Sequence, residues 1–326
     1  MTGPPAATAA VRAAVRRCIA DVEEPLAAAV SGGADSLALA AALAFERPGS
    51  FAFVVDHGLQ EGSTQVAARA AEQCRSLGME AHVLSGSSGS SGICTGDDRG
   101  RSAKILSSGR GPEAAARTLR YRLLEVAAAE RAIPVVLLGH TQDDQAETVL
   151  LGLARGSGAR ALSGMAATRG VFRRPLLGLS RDITAKACAE AGLVPWSDPH
   201  NDDPRFSRVR VRSRVLPVLE RELGPGVAEA LARTARQLRE DADALDALTP
   251  LLKDHVAVEE LAALPAALRA RALKAWAERL TGRALTAVHV DALRALVEDW
   301  HGQGPVHLPG GVSIRRTEGS LSAYDG

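Results

Sequence analysis

Leu26-Ala27-Ala28-Ala29-Val30-Ser31-Gly32-Gly33-Ala34-Asp35-Ser36 is the stretch whose reading decides the fold. Five apolar residues make a short buried strand, and a Leu/Ala-rich helical pattern runs from Ser36 to Phe45. Between them lie two glycines and two serines. Where a strand gives way to a helix, missing side chains let backbone N–H groups come close to a phosphate, and the helix N-terminus adds partial positive charge. No lysine follows in the pattern G-x-x-x-x-G-K-[ST], so this is not the loop of nucleoside triphosphatases that release the γ-phosphate. Taken alone, a tight turn with Ser36 as helix N-cap explains the two glycines equally well.

The alternation continues outward. Phe51–Val55 reads as a second strand, Ser63–Leu77 as a helix, Glu80–Leu84 as a third strand, Glu113–Glu130 as a long helix and Ile133–Leu138 as a fourth strand. Short unbroken apolar strands separated by amphipathic helices predict an α/β, doubly wound parallel sheet covered on both faces, with ligands at the carboxyl ends of the strands. SGSSGSSG at 85–92 opens a polar insertion, 85–111, of linker composition; mobility is expected there, and Asp97, Asp98 and Lys104 are given no catalytic weight. Beyond Gly224-Pro225-Gly226 the chain becomes Ala/Leu/Arg-rich helix, with strand alternation from Val306 to Ile314. Two domains are expected, 1–222 and a smaller, mainly helical 223–326.

Composition bounds the function. With 326 residues, 46% hydrophobic and 24% charged, the chain is neither disordered nor fibrous throughout. Lys plus Arg number 39 against 38 Asp plus Glu, so any basic surface for nucleic acid must be local. No uncharged apolar run approaches the ~18–20 residues of a spanning helix, so a soluble protein with no membrane partner is expected. Cys18, Cys74, Cys94 and Cys188 form no C-x-x-C pair and read as small core residues in a reducing cytoplasm.

A second polar cluster, Gly139-His140-Thr141-Gln142-Asp143-Asp144-Gln145-Ala146-Glu147-Thr148, follows the fourth strand and reaches the same rim. Asp144 and Glu147, three apart on a helical turn, share a face and can grip Mg²⁺ or an ammonium group together. Acidic residues also favour helix N-termini for electrostatic reasons alone. Arg205, Arg208, Arg210, Arg212 and Arg214 form a dense run that suits phosphate contacts along an RNA, although an exposed arginine usually pairs with a neighbouring acid. His57 and His140 read as ligands or as structural hydrogen-bonding groups.

Ser31–Ser36 resembles the S-G-G-x-D-S loop of the ATP pyrophosphatases, which cleave ATP between the α and β phosphates and adenylate a substrate. Val55-Asp56-His57-Gly58-Leu59, Pro112-Glu113-Ala114-Ala115-Ala116-Arg117-Thr118-Leu119-Arg120-Tyr121, the G-H-x-x-D-D-x-x-E-T cluster, Arg155-Gly156-Ser157-Gly158, Arg174-Pro175-Leu176-Leu177 and Trp196-Ser197-Asp198-Pro199 follow in order. Asn201, Asp203-Pro204-Arg205-Phe206 and the arginine run to Leu216-Pro217 complete a resemblance to the tRNA(Ile)-lysidine synthases. It covers about two-thirds of the chain; the polar insertion is a departure that touches none of the motifs.

The resemblance implies a ligase joining L-lysine, through its ε-amine, to C2 of the wobble cytidine in the CAU anticodon of tRNA(Ile), changing codon specificity from AUG to AUA. It implies ATP as co-substrate held by Ser31, Gly32, Gly33, Ala34, Asp35 and Ser36, with Asp56 and His57 nearby, and Mg²⁺ on Asp35. It further implies Asp144 and Glu147 on lysine, Arg117 or Arg120 at the adenylating transition state, Arg205, Arg208, Arg210 and Arg212 on tRNA, and a C-terminal domain, 223–326, that binds the tRNA. A homodimer is compatible with the sequence. The alternatives are a tRNA thiolase with the same adenylation chemistry, against which the lack of paired cysteines argues, and a nucleotide-binding module without turnover.

Overall fold

A computed structural model describes residues 3–56, 62–85, 112–197 and 203–325. The chain divides into two compact units, Met1–Arg236 and Gln237–Gly326. The expected 85–111 insertion, beyond Ser85, lies outside the described residues, as do His57 and Cys94.

In the first unit, α1 (Ala6–Cys18) precedes β1 (Leu26–Val30), α2 (Ala34–Glu46), β2 (Phe51–Asp56), α3 (Ser63–Ser76) and β3 (Glu80–Ser85). Then come α4 (Pro112–Glu130), β4 (Val135–Leu138) and α5 (Gln142–Leu153), the four-residue α6 (Ala159–Leu162), a hairpin of β5 (Thr168–Arg169) and β6 (Phe172–Arg173), and α7 (Arg181–Glu190). The sheet order is β3-β2-β1-β4-β6-β5, parallel except for the terminal β5–β6 pair. Strand alternation fills both faces. Leu26, Ala28, Val30, Ala52 and Val54 pack with α1, α2, α3 and α7, while Ala27, Phe53, Val136 and Leu138 pack under Leu124, Ala127 and Ala128 of α4.

The chain builds outward from β1 to β3 and then returns to the other side of β1 with β4. This reversal is the switch point at which open α/β sheets bind ligands, and the glycine loop after β1 and the acidic segment after β4 flank it. The two approach closely at Gly139. A Cβ there would lie 3.2 Å from the backbone carbonyl of Asp35 and 3.2 Å from Ser36 Cα, so only glycine lets the end of β4 rest on the start of α2.

Beyond α7, α8 (Ser207–Arg210) runs into a π-helical turn, Val211–Val215, and then α9 (Leu216–Leu223) and α10 (Val227–Leu248). Val211 and Leu216 pack on Ala146 of α5, which brings the arginine run beside the acidic segment. Helix α10 spans the division between the units, one helix beyond the expected boundary after residue 222.

The second unit contains β7 (His255–Ala257), α11 (Val258–Ala263), α12 (Ala266–Thr281), α13 (Ala287–Glu298), β8 (Val306–His307), β9 (Val312–Thr317) and β10 (Ser320–Asp325). Its antiparallel sheet, β7-β10-β9-β8, lays Val256, Ile314 and Leu321 against Leu273, Trp276 and Leu293 of the helices. A mainly helical domain is expected from the sequence, and the structure adds this four-stranded sheet.

Candidate active site

The glycine loop is closed by its own serines. The buried Ser36 hydroxyl donates to the Gly33 carbonyl at 2.9 Å and accepts from the Ser31 amide at 3.1 Å, with the Ser31 hydroxyl 3.2 Å away. Ser36 is therefore a keystone of the loop rather than the helix N-cap; that position is held by Gly33. Gly32 has φ +85°, a left-handed conformation, and faces Ala70 and Val66 of α3 while its carbonyl accepts from the Trp196 amide at 2.9 Å. With both serines committed inside the loop, the first-turn amides of α2 have no acceptor within the helix and are suited to an anion.

Asp35, in that first turn, points toward α7. One carboxylate oxygen meets the Thr184 hydroxyl and the other lies 3.7 Å from Arg181 Nε. A hydroxyl carries a single proton, and Thr184 Oγ1 is also 2.8 Å from the Arg181 carbonyl, so it serves one of these acceptors at a time. Burial pushes the Asp35 carboxyl above its ordinary range; Thr184 and Arg181 pull it down, and Asp144 and Asp143 add to the rise.

Three carboxylates and three guanidiniums interlock behind it. Thr141 caps α5, with its amide donating to Asp144 Oδ2 at 2.9 Å, which leaves Asp144 Oδ1 to Arg181 at 3.0 Å. Burial pushes the Asp144 carboxyl up, but Arg181, Arg208 and the Thr141 amide together hold it below the usual range. Asp143 accepts from the Arg181 amide at 2.7 Å and so caps α7. Glu147 is fully enclosed: Arg208 Nε and Arg212 Nε each donate at 2.7 Å, one to each oxygen, and Arg181 reaches it at 3.3 Å.

Helical geometry sorts the arginine run. At about 100° per residue, Arg208 and Arg212 share one face and turn inward to Glu147, while Arg210 and Arg214 take the opposite, exposed face. Arg205 is exposed and paired with Asp203 at 2.6 Å. The run is thus divided between an inward and an exposed face of one helical segment.

Of the remaining expected residues, Asp56 ends β2 with its carboxylate accepting from the Ser63 and Thr64 hydroxyls at 2.7 Å each, at the start of α3. Arg117 and Arg120 are exposed on α4; Arg117 donates to the Tyr121 hydroxyl at 3.3 Å, and buried Arg174 lies 3.5 Å from the same oxygen. His140 lies among these cations, its buried Nδ1 having no hydrogen-bond partner among the described residues. Burial holds its imidazole down at about 4; Asp144 opposes this, and Arg174, Arg117 and Arg208 reinforce it.

Sequence reasoning missed Arg181 and Thr184, although they connect the two halves of the site. A signal for Arg181 exists. It opens a helix, where the macrodipole disfavours a cation, so acidic partners from elsewhere in the fold are required.

Residues 8–219 match the PP-loop domain family and residues 257–322 the TilS substrate binding domain. The chain is 51% identical over 310 residues to a tRNA(Ile)-lysidine synthase of Leifsonia xyli subsp. xyli, covering 90% of this chain and 88% of that one. It is 47% identical to the synthase of Salinispora tropica, covering 97% and 96%, and 44% identical to that of Streptomyces coelicolor, covering 99% and 100%. Among solved structures, a U34-tRNA thiolase from Methanococcus maripaludis superposes with a TM-score of 0.57 at 20% identity, covering 72% of this chain and 80% of that one, a likeness of fold alone. With matches of this identity running over nearly its whole length, the chain belongs to the tRNA(Ile)-lysidine synthase family.

Proposed function

We propose that the protein ligates L-lysine to C2 of the wobble cytidine in the CAU anticodon of tRNA(Ile), at the expense of ATP. The observation that carries this reading is the junction at Gly139 and Arg181, which presents an anion-binding loop and a mixed acid–arginine cluster to one another. The cytidine O2 attacks the α-phosphorus and pyrophosphate leaves. The lysine ε-amine then adds to C2, and the same oxygen departs with AMP.

The α2 first-turn amides and the loop would bind the phosphates. Asp35 fits a Mg²⁺ ligand, since its carboxylate is destabilised by burial and by two neighbouring carboxylates, and a divalent cation would relieve both. Mg²⁺ is usually held by one or two carboxylates with substrate phosphates and water, and would there neutralise charge on the leaving pyrophosphate. Lysine brings two cations and an anion, so a site holding both signs suits it. Asp144, the less enclosed acid, would meet an amine, and Glu147 would act by holding Arg208 and Arg212. Arg117, beside Tyr121 and Arg174, would steady charge on the α-phosphate. Among the described residues no helix is long and apolar enough to cross a membrane.

The thiolase alternative has less behind it, because the relatives matched over most of the chain carry the synthase name and the four cysteines are scattered. Pyrophosphate release measured with and without tRNA and lysine tests the proposal: sustained release should need both. Release sustained by tRNA and a sulfur donor but not lysine would favour the thiolase, and ATP binding without release a module lacking turnover.

A further inference from the structure

The Gly32 carbonyl is held by a segment, Val194–Trp196, that follows α7 without forming a helix or strand. This strap is fastened sideways to α3. Gln73 donates its side-chain N–H to the Val194 carbonyl at 3.1 Å and accepts the Val194 N–H at 2.7 Å, so one carboxamide serves the strap as a neighbouring strand would. The Val194 side chain is 76% exposed, which means that this residue is seated by its backbone and not by apolar packing. Two residues on, the Trp196 N–H donates to the Gly32 carbonyl at 2.9 Å. Gln73 shares a stripe of α3 with Val66 and Ala70, spaced i, i+4 and i+7, and those two residues face Gly32 from the same helix.

We propose that Gln73 is a positioning residue for the phosphate site, acting through this strap on the Gly32–Gly33 peptide. A trans peptide is planar, so its C=O and N–H point in opposite directions. Holding the Gly32 carbonyl on Trp196 therefore turns the Gly33 N–H away from the strap, to the side where the phosphates would sit. Glycine on both sides leaves this peptide plane free to rotate unless something outside it chooses the orientation. The next peptide is fixed from within the loop, by the Ser36 hydroxyl on the Gly33 carbonyl, whereas the Gly32–Gly33 peptide is fixed from outside. Helix α7 thus reaches the loop twice, with Thr184 on Asp35 and, past its end, Trp196 on Gly32. Gln73 sets the position of the second contact. The inference rests on the reading of Ser31–Ser36 as the seat of the ATP phosphates.

The test is displacement of a fluorescent, ribose-labelled ATP analogue from the full chain by inorganic pyrophosphate and, separately, by adenosine, in the absence of tRNA and lysine so that no turnover is needed. Wild type is compared with Gln73→Leu and Gln73→Glu. Glu72→Gln, on the same helix and paired only with Arg75 at 3.4 Å, is the control. Gln73→Leu should weaken pyrophosphate about 10-fold, the worth of one hydrogen bond to a charged group, and leave adenosine within about 2-fold. Gln73→Glu keeps an acceptor for the Val194 N–H and loses the donor, so its loss should be smaller, about 3-fold. Circular dichroism checks folding, and the isosteric Gln73→Glu carries the test where Gln73→Leu does not fold. Unchanged displacement by pyrophosphate, an equal weakening of both competitors, or an equal loss in Glu72→Gln would overturn the proposal. Displacement by adenosine but not by pyrophosphate in wild type would instead overturn the reading of the loop as the phosphate seat, and is seen without any variant.

Discussion

The two halves of the site are built in opposite ways. The loop Ser31–Ser36 is closed on itself by bonds among Ser31, Gly33 and Ser36, at most five residues apart, and by the geometry of a strand-to-helix turn, with Trp196 on Gly32 and Thr184 on Asp35 as added long-range contacts. The cluster around Glu147 is assembled from Asp144, one turn away on the same helix, and from Arg181, Arg208 and Arg212 on other elements up to 65 residues from the glutamate. A local motif can be read and altered piecemeal, whereas a long-range one is a network in which charges depend on one another for solvation. Substitutions in the loop should therefore cost activity with little loss of stability, and substitutions in the cluster should cost stability first.

The largest expected effect on activity is at Asp35. Asp35→Asn should lower tRNA-dependent pyrophosphate release about 10²–10³-fold. Its carboxyl is raised by burial, so its contribution to stability is complete below the unfolded pKa and is lost as pH rises through the folded one. At neutral pH the native carboxylate is thus a liability, and Asp35→Asn should melt at or above the wild-type temperature; a clear drop would break the contrast between the regions.

Glu147→Ala comes next, and leaves three guanidiniums with Asp144 as the remaining shared counter-ion. A loss of about 3–5 kcal/mol is expected by denaturant unfolding, with Glu147→Gln milder. A wild-type midpoint in Glu147→Ala would mean that the arginines are satisfied elsewhere. Gly139→Ala sharpens the comparison by disturbing the seam between the halves: its Cβ must displace backbone of Asp35 and Ser36, for about 1–3 kcal/mol, and should raise the KM for ATP.

The smallest effect is on the outward arginines. Arg210→Gln with Arg214→Gln should leave stability unchanged and flatten the salt dependence of tRNA binding by up to about 0.9 log units per lost phosphate contact on the duplex scale. Arg208→Gln with Arg212→Gln should instead lower the unfolding midpoint. If both pairs behave alike, the two faces of this helix are not distinct in function.

Most of the first unit was legible because β1, β2 and β4 are almost wholly apolar and many turns glycine-marked; Leu26–Val30 is found where the pattern puts it, and the other elements differ at their ends by a few residues. The short strands β5, β6 and β7 carry too few residues for any period to show. The site was legible where spacing is local, as in Ser31–Ser36 and the Asp144–Glu147 turn. It was not legible at Arg181 and Thr184, which are chemically ordinary until folding brings α7 against α2. Nor does the sequence alone separate Arg208 and Arg212 from Arg210 and Arg214, because that depends on the segment being helical.

The most direct test of the central claim, that one half activates the cytidine and the other delivers the amine, is a rapid-quench search for adenylated tRNA by mass spectrometry. Asp35→Asn and Asp144→Asn would be compared at saturating ATP and lysine; the latter keeps a side chain able to cap α5 while removing its charge. The account predicts that Asp144→Asn accumulates the adenylated intermediate and transfers lysine slowly, while Asp35→Asn forms none. Equal failure of both variants to adenylate would contradict it, and would assign the acidic cluster to the nucleotide.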